Sequence, residues 1–491
     1  MSSPARVRYA PSPTGYLHIG GLRTALYNWF LARQTSGTFL LRIEDTDQTR
    51  FVEGATERLV KALETCGIKP DEGVMLDANG HLIEHGSHAP YIQSKRRENH
   101  LASAYELIER DHAYYCFCTA EELDQARERQ IAGKLPQMYD RRCRALTKQK
   151  AEDRAAVGDV HVIRLKVPTE GTCVFHDLIR GRIEVPWAQV DDQILIKSDG
   201  YPTYHLSAMC DDHAMEITHI VRGEEWISST PKHLFLFEAM GWNVPYFAHV
   251  PLLLNADRSK LSKRQGDVAV EDYLAKGYLP DALVNFVALL GWNPTSDREV
   301  FTKEELAGLF DITKVNKAGA MLNLEKLEWL NGQYLRAMTE DAYLALALPA
   351  LEQTVLDVGT RKRAALLFRD RATRVELLPA LVLPWIEAPT PDATLLVWKT
   401  QTLEEARARV ASVRALLAEW SIEQFFSLEE SEACLKAWIL ERGWKNGEVL
   451  WPLRVALSGS AQSPSPFELL FLLGKEESLK RLDAVLAQMV R

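Results

Sequence analysis

RVRYAPSPTGYLHIGGLRTALYNWFLAR, residues 6–33, contains a complete strand–loop–helix unit. Arg6 to Ala10 reads as a short strand, and the turn-rich PSPTG interrupts it. Beyond the turn, Leu22, Ala25, Leu26, Trp29 and Phe30 recur at helical spacing. TFLLRIEDTD (38–47) then reads as a second apolar strand ending in acids, and VEGATERLVKALETCGI (52–68) as another amphipathic helix. This alternation predicts a parallel sheet flanked by helices.

From about His100 to Gln189 the pattern changes to charged helices, a cysteine cluster and the strand-like runs HVIRLKV and GRIEVPW, which together read as an insertion. The sheet pattern is expected to resume at QILIKSDGYPTYHL (193–206) and ITHIVRGEEW (217–226), with a helix at TPKHLFLFEAMGW (230–242). After Lys276 nearly everything has helical periodicity, and Pro384 to Asp392 is a joint between two helical units. A chain of 491 residues predicts roughly three to five compact units.

Hydrophobic residues at 46% and charged residues at 25% are those of a folded globular protein. No stretch reaches the ~18 apolar residues that cross a bilayer, and MSSPARVRYA lacks the apolar core of a secretory signal. The expected compartment is the cytoplasm, with no membrane partner. Seven cysteines, three of them between Cys116 and Cys143, fit reduced thiols or a metal site better than disulfides. A net charge of -9 argues against indiscriminate coating of nucleic acid, so no DNA partner is expected. A local basic patch remains at Arg361, Lys362, Arg363, Arg369, Arg371 and Arg374, broken by Asp370; a solvated helix face is its plain reading.

Two motifs carry phosphate chemistry. In PSPTGYLHIGG (11–21) the glycines permit close backbone approach, the following helix N-terminus offers free N–H groups, and His18 adds a side-chain donor. In KLSKR (260–264) two lysines stand three apart in a polar loop. Alone, the first is readily a structural turn and the second a solvated charge run. Together they resemble the HIGH and KMSKS motifs of class I aminoacyl-tRNA synthetases, and that resemblance implies attack of a carboxylate on the α-phosphate of ATP, where negative charge grows on phosphoryl oxygens and fixed cationic donors lower the barrier. His18 and Lys263 are the candidates for that role, with Lys260 assisting and Mg2+ bridging the phosphates.

HIGG resembles the HIGH motif of class I aminoacyl-tRNA synthetases and KLSKR their KMSKS motif; with RYAPSPTG in front, the likeness is to the glutamyl and glutaminyl branch. RIEDTD (42–47), GYPTYH (200–205) and VRGEEW (221–226) are similar to the glutamate pocket of glutamyl-tRNA synthetases. The resemblance implies that Arg8, Ala10, Ser12, Glu44, Tyr204 and Arg222 bind glutamate. Arg8 would take its side-chain carboxylate, Glu44 its ammonium and Arg222 the other carboxylate. Thr14, His18, Gly20, Glu225, Trp226, Lys260 and Lys263 would bind ATP. One departure is Ala208, where many members of the family carry Asn. Cys116, Cys118, Tyr139 and Cys143 resemble a zinc-bearing insertion of some members, although Ala145 stands where certain relatives have His.

The likeness extends through NLEKLEWLNGQYL (323–335) to WKNGEVLWPLRVALSGSAQSPSPFELLFLLGK (444–475). This helical tail sets the chain apart from glutaminyl-tRNA synthetases, which end in β-barrels. The implied fold is an α/β Rossmann-type catalytic domain (1–99 and 190–255) split by an acceptor-end-binding insertion (100–189). A stem-contact domain (256–325) and all-α anticodon-binding units (326–385 and 386–491) follow. The implied activity is ATP-dependent attachment of L-glutamate to tRNA(Glu) by a monomer, with Arg369 or Arg371 as candidate tRNA contacts. Two alternatives stay open: an enzyme that also charges tRNA(Gln), and a tRNA-binding paralogue without catalysis.

Overall fold

The computed structural model describes residues 4–47, 49–50, 52–255, 257–259, 261, 268–295, 297–354, 356–387 and 392–488. The chain forms two compact units, Met1–Leu327 and Glu328–Arg491.

The first unit is built on strands β1 (Arg6–Tyr9), β2 (Thr38–Leu41), β3 (Glu72–Leu76), β4 (Leu82–His85), β5 (Ala113–Cys116), β6 (Val162–Leu165), β7 (Thr172–Asp177), β8 (Gly181–Pro186), β9 (Ile194–Ile196), β10 (His219–Gly223) and β11 (Tyr246–Val250). Eight of them form one sheet in the order β4-β3-β2-β1-β10-β11-β7-β8. Its centre is parallel and only the edge pairs β3–β4 and β7–β8 are antiparallel. From β1 the chain moves outward to β2 on one side, while β10 flanks β1 on the other. The gap between the carboxyl ends of β1 and β10 is therefore the switch point at which open α/β sheets bind ligands.

The helix predicted after the turn is α1 (Ile19–Gln34). It is buried almost all round, where the sequence pattern suggested one apolar face. One side covers β1, β2 and β10; the helices Pro280–Ala288 and Lys303–Leu309 cover much of the rest. Its polar side chains are satisfied inside: the Tyr27 hydroxyl donates to the Leu290 carbonyl at 3.0 Å, Asn28 donates to Val221 at 3.2 Å, and Arg23 donates to the Pro251 carbonyl.

The strands around the insertion do not all fall where expected. QILIKSDG was predicted to rejoin the main sheet, but β9 pairs antiparallel with β6, forming the three-stranded sheet β5-β6-β9. Conversely GRIEVPW, read as part of the insertion, forms β8, which with β7 extends the edge of the main sheet. Strand pairing joins residues distant in sequence, and an alternating run such as β7 carries no mark of which sheet it will enter. In the second unit all described regular elements are helical, and the expected joint at 384–392 lies partly outside the described residues.

Gly37, in the turn between α1 and β2, lies so close to the chain entering β1 that a Cβ there would sit 1.9 Å from the Ala5 carbonyl oxygen. Gly37→Ala is expected to lower stability by about 2–3 kcal/mol, seen as a lower urea midpoint with unchanged slope; an unchanged midpoint would show that this turn can shift freely.

Candidate active site

At the switch point lie two adjoining cavities that share Thr24, Gly223 and Glu225. The larger, about 410 Å³, is lined by Arg8, Ala10, Ser12, Glu44, Tyr204 and Arg222, together with Glu225 and Trp226. Four separate stretches thus deliver all the residues named for glutamate to one place. Arg8 is on β1, Glu44 follows β2, Tyr204 opens a helix spanning Tyr204–Ala214, and Arg222 is on β10. Ala208, on that same helix, is fully buried and does not line the cavity.

Beside the exposed Arg50, two buried guanidiniums line this cavity in different electrostatic settings. Arg8 donates its Nε to Asp212 Oδ1 at 2.9 Å, and the same oxygen accepts from Arg42 Nη1 at 2.7 Å. Arg42 in turn donates to Glu44 Oε1 at 3.0 Å. All four groups are buried. Burial opposes the charge on Arg42, but Asp212, Glu44 and Asp211 hold its pKa above the ordinary value. Burial raises the Glu44 carboxyl above its usual range against the pull of Arg42 and Arg8. Next to Asp212, Asp211 accepts from Gln93, Arg96 and His100.

Arg222 is equally buried but has no carboxylate at ion-pair distance among the described residues. Its donors meet neutral acceptors: His249 Nε2 at 3.1 Å, the Tyr204 hydroxyl at 3.3 Å and Thr230 Oγ1 at 3.0 Å. Burial lowers its pKa. A buried cation in this state favours an anion from solution. The Tyr204 ring stacks tilted on Trp226 with centroids 4.1 Å apart, walling the cavity beside it.

The smaller cavity, about 220 Å³, is lined by His18, Gly20, Leu253 and Leu261 among others. His18 caps α1, and its Nδ1 accepts from the Gly20 N–H at 3.0 Å. In the neutral ring the proton is then on Nε2, which becomes a donor. Thr14 is exposed in the turn and lines neither cavity. Lys260 and Lys263 lie outside the described residues, but the chain on either side of them does not. The Leu261 N–H donates to Leu253 at 3.1 Å; Ile19 donates to the Val268 carbonyl and Val270 to the Leu17 carbonyl, each at 2.8 Å. Leu261, the described residue of KLSKR, therefore lines the same cavity as His18.

In the insertion, the sulfurs of Cys116, Cys118 and Cys143 lie within 4.8 Å of one another. Cys118 and Cys143 are 3.6 Å apart, and the Tyr139 hydroxyl is 3.3 Å from Cys116 and 3.4 Å from Cys118. Tetrahedral zinc with bonds near 2.3 Å would separate its sulfurs by ~3.7 Å, so the donor set fits. Hydrogen bonding by Cys143, assisted by Tyr139, brings the Cys116 thiol down to about 4 against its burial.

In the helical unit, Arg369 has a different task from the one expected of it. Its guanidinium donates to the carbonyls of Leu335, Arg336 and Met338, where the helix Leu324–Ala337 ends, and lies 4.7 Å from the Tyr343 ring centroid. Those bonds are a C-terminal cap and leave little of the fork for a nucleotide. Arg371 is exposed and meets Glu468 at 2.6 Å.

Sequence reasoning missed Arg42, Asp177, Asp212, Thr230 and His249. A signal existed for one of them, Asp212, which stands beside Asp211. Asp211 and Asp212 sit in the apolar run LSAMCDDHAM, and acids in such a run are buried only when paired. Asp212→Ala would leave two buried guanidiniums without their shared acid. The expected loss is about 3–5 kcal/mol, measured by denaturant unfolding, and a loss below a third of that would show that water reaches the network.

Residues 4–329 match the family model described as tRNA synthetases class I (E and Q), catalytic domain, and residues 328–486 match an anticodon binding domain. A glutamate–tRNA ligase of Prosthecochloris aestuarii is 43% identical across 97% of this chain and 96% of its own length. One from Alkaliphilus metalliredigens is 41% identical across 98% of each. Among solved structures, a glutamate tRNA ligase from Elizabethkingia meningosepticum in complex with its amino acid superposes with a TM-score of 0.87 at 34% identity, covering 99% of this chain and 100% of that one. With a matching catalytic model, a matching anticodon model and relatives aligned nearly end to end, the chain belongs to the glutamate–tRNA ligase family of class I tRNA synthetases.

Proposed function

We propose that this protein, an aminoacyl-tRNA ligase by family, joins L-glutamate to tRNA(Glu) with ATP, using the paired cavities as its active site. The observation that carries this reading is Arg222, a buried cation with no carboxylate at ion-pair distance among the described residues, in a cavity that also holds Arg8 and Glu44. The two buried guanidiniums and the buried Glu44 carboxylate complement a ligand with two carboxylates and one ammonium, while the exposed Arg50 pairs with Asp47 and Glu225 lines both cavities. Glutamate has that set, whereas glutamine has one carboxylate fewer and would leave a guanidinium facing a neutral amide.

Arg8 takes the side-chain carboxylate, Glu44 the ammonium and Arg222 the reacting carboxylate, with Ala10, Ser12 and Tyr204 closing the cavity. ATP lies along the smaller cavity past Gly20 and Glu225, and reaches toward Trp226 in the adjoining cavity and toward Thr14 in the turn, which lines neither. A carboxylate oxygen of glutamate attacks the α-phosphorus, the bond to the bridging oxygen breaks, and pyrophosphate leaves. His18 donates from Nε2 to the phosphoryl oxygens, and Lys263, with Lys260, neutralises the departing pyrophosphate. Mg2+ bound with ATP spreads the phosphate charge. A ribose hydroxyl of the tRNA 3′-terminal adenosine then attacks the carbonyl carbon of the adenylate, losing its proton as AMP leaves.

The insertion, residues 100–189, would grip the acceptor end, braced by Zn2+ on Cys116, Cys118, Cys143 and Tyr139. The segment 256–325 would contact the tRNA stem. Residues 326–385 and 386–491 would hold the anticodon, with Arg371 rather than Arg369 offered to nucleotides, because Arg369 is engaged as a cap.

Charging of purified tRNA(Glu) and tRNA(Gln) transcripts with labelled glutamate and ATP tests the reading. Charging of the first alone is expected; charging of both identifies a nondiscriminating enzyme. Charging of neither by folded protein would leave a catalytically silent tRNA-binding protein. Arg8→Ala and Lys263→Ala are each expected to lower kcat/KM by about a hundredfold. Metal analysis of freshly purified, unchelated protein is expected to give one zinc per chain, lost in Cys143→Ala; zinc-free protein would overturn the metal assignment.

A further inference from the structure

Arg222, His249 and Asp177 form a line across three neighbouring strands of the main sheet. Arg222 on β10 is directly in register with His249 on β11, and Asp177 at the end of β7 is in register with Phe247 of β11. His249 and Asp177 are fully buried. Arg222 donates from Nε to His249 Nε2 at 3.1 Å. Since guanidinium nitrogen cannot accept, that bond requires a bare lone pair on Nε2 and hence a proton on Nδ1. Nδ1 lies 2.6 Å from Asp177 Oδ2, the acceptor this tautomer needs.

Asp177 has little freedom to do otherwise. Its Oδ2 also receives the His249 backbone N–H at 3.1 Å, and its Oδ1 receives those of Ile179 at 3.0 Å and Arg180 at 2.9 Å. Every approach to the carboxylate is by a donor. Burial disfavours its charge, but the His249 bond and these backbone groups bring it below its usual range. Burial also lowers His249, consistent with a neutral ring beside a guanidinium.

We propose that Asp177 and His249 are positioning residues for glutamate recognition: Asp177 fixes the His249 tautomer, and His249 fixes the plane in which Arg222 presents its outer nitrogens to the carboxylate. The inference rests on the assignment of Arg222 to a glutamate carboxylate. The outer nitrogens meet the Tyr204 hydroxyl and Thr230 Oγ1, which donates to the Trp226 carbonyl at 3.0 Å and lies 3.2 Å from the same His249 Nε2, whereas Nε meets a ring clamped from behind. With an Nε2–H tautomer, two N–H donors would face each other and the fork would turn away.

Two substitutions at one position separate this role from a merely structural tie between β7 and β11. His249→Asn keeps a donor near Nδ1 for Asp177 but removes the acceptor for Arg222. His249→Gln keeps an acceptor near Nε2 but gives up the Asp177 bond. KM values for glutamate and ATP are measured in tRNA(Glu) charging, with Arg222→Ala alongside and melting curves for each variant. His249→Asn is expected to raise the glutamate KM by at least about tenfold with the ATP KM within about twofold, and His249→Gln to restore most of that loss.

A structural tie predicts the opposite order, Gln worse than Asn, and that order would overturn the proposal, as would an unchanged glutamate KM in His249→Asn. If Arg222→Ala itself leaves the glutamate KM unchanged, the underlying assignment falls instead. Should His249→Asn not melt cooperatively, Asp177→Asn is read the same way. Its amide places a donor against a donor in either orientation, and an unchanged glutamate KM there also overturns the proposal.

Discussion

One carboxylate oxygen, Asp212 Oδ1, between Arg8 and Arg42 is the contact on which the site depends. It allows two guanidiniums to be buried within a few ångströms of each other at the ends of β1 and β2. Without it their mutual repulsion, strong where water is excluded, would force one outward. Because Asp212 takes Arg8 by its Nε, the outer edge of that guanidinium remains toward the cavity. Because Arg42 also holds Glu44, the buried acid of the pocket is fixed by the same network that fixes its first cation.

The other cation is handled in the opposite way. Arg222 is surrounded by neutral acceptors and has no carboxylate at ion-pair distance among the described residues, so its position is defined without a salt bridge. The cavity therefore sets one buried cation that is already paired beside one that is not. Under the proposed assignment selectivity falls to Arg8: a ligand with a neutral side chain would bury that guanidinium against an amide, and its desolvation would go unreturned. The aromatic wall of Tyr204 and Trp226 lowers the local dielectric and sharpens the difference.

Much of this was legible from sequence because it is local. The strand, glycine-rich turn and helix of residues 6–33 lie within one stretch, and their periodicity and breakers need no distant partner to be read. The pocket residues were named by their likeness to a family, and the sheet brings them together because their stretches end at the same edge of neighbouring strands. What was illegible depended on pairing between distant segments. β9 and the β7–β8 hairpin exchanged sheets relative to expectation, and with β7 came Asp177, which no local signal connects to Arg222. The bonds of Arg369 were illegible for a related reason: a basic residue in a charge cluster gives no sign that three carbonyls at the end of another helix accept from it.

The bonds from Ile19 to the Val268 carbonyl and from Val270 to the Leu17 carbonyl tie the chain at 268–270 to the turn before α1, and Leu261, held by Leu253, lines the smaller cavity. Backbone bonds of this kind make neighbouring segments move as one. A displacement at 268–270 would therefore be felt at the N-terminus of α1, where His18 caps the helix and lines the same cavity.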